Sequence, residues 1–77
     1  MKLTATQQSA LQDLEEVSTM KASQGHAAPF ELGYAVSTFI SLFNKGLIGR
    51  RTAYLEHGQY VDYKITPKGR AALRERE

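Results

Sequence analysis

The order of segments predicts a small α+β domain: three helices, a two-stranded hairpin and a short closing helix. Three observations carry this prediction. An amphipathic helical period runs through residues 5–20, the pattern turns from helical to extended after Gly46, and Thr66-Pro67 opens a last helix. Seventy-seven residues make one domain, spanning 1–77. A chain this short buries only about 60% of its unfolded surface. It has no cysteine, so neither a disulfide nor a thiolate-bound metal supports the fold. The core must come from Leu, Ile, Val, Phe and Tyr.

Each element has a local cause. Thr4 and Gln7 form a capping box, and Leu11, Leu14 and Val17 then recur at spacing three, near Gln7 and Ala10. Residues 21–29 read as a loop, interrupted by Gly25 and Pro29. A short helix is expected over about 30–35, weakened by Gly33. The next helix is capped by Ser37 or Thr38 and carries Phe39, Ile40, Leu42 and Phe43; Asn44-Lys45-Gly46 stops it, with Gly46 in the left-handed position. Leu47-Ile48 is a short buried run. Arg51 to Glu56 and Tyr60 to Ile65 are strands joined by His57-Gly58-Gln59. Alternation puts Val61, Tyr63 and Ile65 on the core face and Tyr60, Asp62 and Lys64 on the other. Tyr54 and Tyr60 are expected to pack across the strands. Thr66 caps the last helix, Pro67 takes its first position, and Ala71, Ala72 and Leu73 give it an apolar face.

Two segments are specific. Lys45-Gly46-Leu47-Ile48-Gly49-Arg50 resembles the "KGLI-x-R" turn that ends the recognition helix of MarR-like and PadR-like transcriptional regulators. Tyr63-Lys64-Ile65-Thr66-Pro67-Lys68-Gly69-Arg70-Ala71-Ala72-Leu73 resembles their "Y-x-L-T-P-x-G-R-A-x-L" signature, with Ile65 in place of the leucine. Leu3-Thr4, Gln7, Leu11 and Leu14 are similar to their first helix. The resemblance implies a winged helix-turn-helix fold and a cytoplasmic DNA-binding regulator of transcription. It also implies a recognition helix at about 37–44 and a wing at 51–65. The chain departs from the pattern in three ways: it lacks the long flanking helices through which those proteins dimerise, its helix-turn-helix is blurred by the 21–29 loop, and its recognition helix is poor in bases. Most of the shared residues explain a turn, a hairpin or a cap, so they identify a fold better than an activity.

Charge bears on the partner. Residues 1–44 carry two bases and four acids, residues 45–77 eight bases and four acids, so −2 is followed by +4. A basic half favours a polyanion such as double-stranded DNA; a solvated charged surface is the plain alternative. By position on a winged helix, Ser37, Thr38, Ser41 and Asn44 face base edges, unless they serve only as caps. Lys45, Arg50, Arg51, Lys64 and Lys68 face phosphates, with His57 and Gln59 at the wing tip. Arg50 and Arg51 alternatively pair with Glu56 or Asp62 across the hairpin.

A protein-interaction module, an adaptor or inhibitor that does not bind DNA, is the competing reading. It follows from the base-poor helix with Phe39, Ile40, Leu42 and Phe43, if any of these is exposed. A homodimer would pair through the first or the last helix. Catalysis finds no support: His26 and His57 lie in loops with no nucleophile or acid at a telling spacing, and no metal or other cofactor is implied. No run of about 18 apolar residues marks a membrane span, and the start lacks a signal-peptide apolar region. The expected compartment is the cytoplasm.

Overall fold

A computed structural model describes residues 3–20, 25–56 and 58–75. The chain is α+β, with α1 (Ala5–Val17), α2 (Pro29–Leu32), α3 (Val36–Asn44), β1 (Ile48–Leu55), β2 (Gly58–Ile65) and α4 (Pro67–Glu75). β1 and β2 form a two-stranded antiparallel hairpin. None of the described helices is long and apolar enough to cross a membrane.

The expected capping box opens α1: Thr4 Oγ1 accepts from the Gln7 amide, and Gln7 Oε1 accepts from the Thr4 amide. The helix ends at Val17 rather than near residue 20. There the hydroxyls of Ser18 and Thr19 donate back to the carbonyls of Glu15 and Glu16, a local bond that competes with further helix. Gly33, in the left-handed conformation at φ 80°, closes α2 after four residues, so Tyr34 lies outside that helix instead of within it. Its hydroxyl donates to Asp13 of α1 at 2.7 Å. α3 starts before the expected caps: its N-cap is Ala35, which offers no side-chain bond, and Ser37 and Thr38 sit in the first turn. Gly46 ends α3 at φ 77°, as its position predicts.

The strands are longer than expected. Ile48 already pairs with Ile65, and Leu55 faces Gly58, so Gly58 and Gln59 belong to β2 and not to the connection. A third strand-like contact lies on the far edge of β2. Ala27 exchanges two hydrogen bonds of 2.8 Å with Tyr63, inside the segment expected to be loop. The neighbouring His26, in the segment expected to be loop, is half-buried with Nδ1 enclosed.

The core joins all these elements. Leu11, Leu14, Phe39, Leu42, Leu47 and Ile48 are fully buried, with Ala10, Val17, Tyr63, Ile65 and Leu73 around them. The Phe39 ring meets Tyr63 edge-on at 5.2 Å and Tyr34 at 6.0 Å, geometries that add to burial alone. The sequence places Val61 on the core face of β2 and Asp62 on the other. Instead Val61 is 38% exposed and Asp62 only 2%. Val61 faces an open hollow lined also by Pro29, Phe30 and Val36, which covers it only in part. Asp62 is covered by its cross-strand partner Arg51.

α4 docks on the turn after α3. Thr66 Oγ1 accepts from the Gly69 amide, the expected cap, and donates to the Gly46 carbonyl; the Thr66 amide donates to the Leu47 carbonyl. A Cβ on Gly69 would overlap the Leu47 carbonyl oxygen and come within 2.8 Å of Ile65 Cγ1. Gly69→Ala should therefore destabilise the domain by about 2 kcal/mol although alanine is the better helix former by about 1 kcal/mol. The thermal midpoint should fall by roughly 10 °C; an unchanged midpoint contradicts the close approach.

Burial, followed by the hydrogen bond to Asp13 and that group's negative charge, raises the Tyr34 pKa above 10.0. A phenol held neutral in the fold adds stability that is complete below about pH 10 and is lost as pH rises through the folded value. An alkaline absorbance titration should contain a late tyrosine ionisation that Tyr34→Phe removes. Persistence of that step in the variant assigns it elsewhere.

Candidate nucleic-acid interface

The register of the hairpin sorts the basic residues. Pairs Ile48–Ile65, Arg50–Tyr63 and Thr52–Val61 share one face; Gly49–Lys64 and Arg51–Asp62 share the other. Arg50 and Arg51 therefore point to opposite sides of β1. On the core side the Arg50 guanidinium lies 4.5 Å from the centre of the Phe43 ring. This cation–π contact holds it beside the end of α3 while leaving it exposed. Lys45 is the C-cap of α3. The Lys68 stem reaches from α4 to Gly46, with Nζ 3.5 Å from where a Cβ would stand. Three cations from three elements thus converge at the C-terminal end of α3.

Arg51 is committed elsewhere. Its Nε and Nη2 donate to both oxygens of Asp62, at 3.1 and 2.8 Å. That bidentate bond leads the causes that raise the Arg51 pKa above its ordinary value. The pairing is the structural alternative weighed from sequence for Arg51. Lys64 shares this second face, its stem packed beside Gly25. The five bases expected to form one phosphate-facing set are therefore divided between two faces, because consecutive strand residues alternate.

The four polar residues expected on α3 also separate. Ser37 and Asn44 are exposed, whereas Thr38 is half-buried. Ser41 turns inward, its Oγ accepting from Gln7 Nε2 at 2.7 Å. The outward face also carries Val36 and Ile40, exposed by 58% and 43%; Ile40 was considered only for a protein partner, and Val36 for none. Their four-residue spacing from one another and to Asn44 was the available signal. Of the four apolar residues of α3 considered as a partner surface, Phe39 and Leu42 are fully buried, Phe43 is half-buried and Ile40 is exposed. Gln59 is exposed on β2; His57 lies outside the described residues. Tyr54 is exposed rather than packed across the strands.

An apolar hollow of about 230 Å³ adjoins this surface, lined by Pro29, Phe30, Val36, Tyr60, Val61 and Tyr63. Phe30, at its rim, is 75% exposed. Among the described residues no three metal-ligating side chains come together. Compared with protein-family models, curated proteins and solved structures, the chain matches none.

Asp62 is buried, with the Arg51 guanidinium against it. Arg51→Met should lower the thermal midpoint, because it strands a carboxylate away from water. The double variant Arg51→Met, Asp62→Leu should be milder than the single one, since an apolar pair leaves no charge unmatched. Equal losses in thermal denaturation would overturn this account of Asp62.

Proposed function

We propose that the chain is a winged-helix DNA-binding domain, a small transcriptional regulator acting in the cytoplasm. α3 serves as the recognition helix and the hairpin as the wing. The observation that carries this reading is the convergence of Lys45, Arg50 and Lys68 at the end of α3, next to that helix's exposed face. Phosphate oxygens take these three cations, which fix the register of the helix on the duplex. Ser37 and Asn44 then meet base edges, and Val36 and Ile40 suit the methyl groups of thymine. The Ala27–Tyr63 bridge supports the assignment of a wing: it anchors the base of β2 to the body and leaves the outer half of the hairpin free to reach along the backbone. The sequence resemblance to MarR-like and PadR-like regulators points the same way.

A second reading, a module that binds another protein and not DNA, is favoured by one observation. Phe30 and Val36 expose a large apolar surface around the hollow beside β2, and exposed apolar clusters mark protein contacts.

Titration of labelled duplex DNA at several salt concentrations separates the two. Three phosphate contacts give a slope of about −3 in log K against log salt. Arg50→Ala should weaken binding to all sequences alike and reduce the slope by about 1. Arg51→Ala, whose charge is already matched by Asp62, should leave the slope unchanged. Absence of binding to any duplex at low salt would reject the DNA reading and leave the protein module.

A further inference from the structure

The outer edge of β2 is closed at one residue and open beyond it. Tyr63 exchanges two backbone hydrogen bonds with Ala27, so its N–H and C=O point away from β1. Alternation along an antiparallel pair sends the N–H and C=O of Val61 and Gln59 to the same edge. Residue 29 would be the next to pair there. It is proline, which has no N–H, and the chain turns into α2 at that point. Among the described residues no backbone bond reaches Val61 or Gln59 on that side.

The apolar hollow lies along this open edge. Tyr60 and Val61 are consecutive, so their side chains leave opposite faces of the strand, yet both line the hollow. A space reached from both faces lies at the edge between them. Pro29, Phe30 and Val36 form its far wall. Its volume of about 230 Å³ exceeds the roughly 150 Å³ of a cavity that admits benzene, so it has room for an aromatic or branched aliphatic side chain. Strand edges left to solvent are ordinarily blunted by charge, proline or a bulge. The stretch from Gln59 to Val61 has none of these: its side chains are uncharged, Asp62 is buried against Arg51, and the register runs unbroken.

We propose that this edge receives an extended apolar segment of a partner protein as an added strand. The segment runs antiparallel to β2, in line with Ala27, and places one large apolar side chain in the hollow. Open amides and carbonyls at strand spacing call for a backbone as occupant, and the hollow calls for an apolar residue on that backbone. Together these are the two elements of recognition by strand addition, main-chain bonds for affinity and a side-chain pocket for specificity. The Ala27 bridge already uses the same geometry on the same edge. The inference rests on the protein-module reading, to which it adds the partner's conformation and chemistry. It does not require DNA binding to fail, because the hollow and the cationic cluster lie at opposite ends of α3.

The probe is a blocked peptide, Lys-Thr-Val-Thr-X-Thr-Val-Thr-Lys, with Val, Leu, Phe or Tyr at X, added without DNA up to about 1 mM. Amide exchange followed by NMR should slow at Gln59 and Val61 and stay unchanged at Tyr60 and Asp62, whose amides already face β1. N-methylation of X removes an amide that faces β2 and should weaken binding at least about tenfold. N-methylation of the next threonine, whose amide faces away, should leave binding within about threefold. Val61→Pro removes the edge N–H without touching the ladder to β1 and should also cost at least about tenfold, whereas Val61→Thr retains binding. Circular dichroism checks that each variant is folded, and the N-methyl pair decides the matter if Val61→Pro is not. Absence of binding by every peptide overturns the inference. Equal binding by the two N-methyl peptides, with loss through Val36→Glu, overturns strand pairing and leaves the protein-module reading standing. Gln59 and Val61 amides that are protected in the concentrated free protein and lose protection on dilution give the edge to a second copy, which also overturns it.

Discussion

The structure hangs on the contact between the turn that leaves α3 and the first turn of α4. Gly69 lets the α4 backbone reach the Leu47 carbonyl, against which any Cβ would collide. Thr66 ties the same two segments together through the carbonyls of Gly46 and Leu47. Ile48 and Ile65 pair just beyond, so the hairpin starts from a point already closed. The two stretches that carry the family resemblance are thus the two halves of one lock. Its residues are glycine, threonine and aliphatic side chains because the constraint is close approach and burial.

That lock also sets where charge goes. With the hairpin base fixed against the core, Arg50 must lie on the side of α3, where Phe43 receives it, and Arg51 on the other. Across the strand from Arg51 is Asp62, and the two neutralise one another. Lys68, carried on the first turn of α4, is brought to the end of α3 beside Lys45. A charge excess spread along the second half of the chain becomes a small cationic cluster, with Lys64 on a different face.

The same geometry leaves apolar surface in unusual places. α3 buries Phe39 and Leu42 and turns Val36 and Ile40 outward, because a nine-residue helix packed on one body can cover only part of its circumference. α2 is so short that Phe30 finds no neighbour to cover it. Phe30 and Val36 line the hollow beside β2, at the other end of α3 from the cationic cluster.

How much was legible in the sequence follows from the range of each interaction. The capping box at Thr4 and Gln7, the stop at Gly46, the cap at Thr66 and the alternation that buries Tyr63 and Ile65 depend on residues a few positions apart. They were readable, and with them the α+β order of elements. The ends of α1 and α2 were not, because hydroxyl back-bonding at Ser18 and Thr19 and the left-handed Gly33 override the continuing pattern. The site was legible in part. The basic residues were identified, but their division between two faces waited on the strand register. The tertiary structure alone decided that Ala27 joins β2, that Ser41 faces Gln7, that Arg51 is spent on Asp62 and that Val61 is exposed. Each of these depends on which distant element comes within bonding distance, or on how fully a distant element covers the strand.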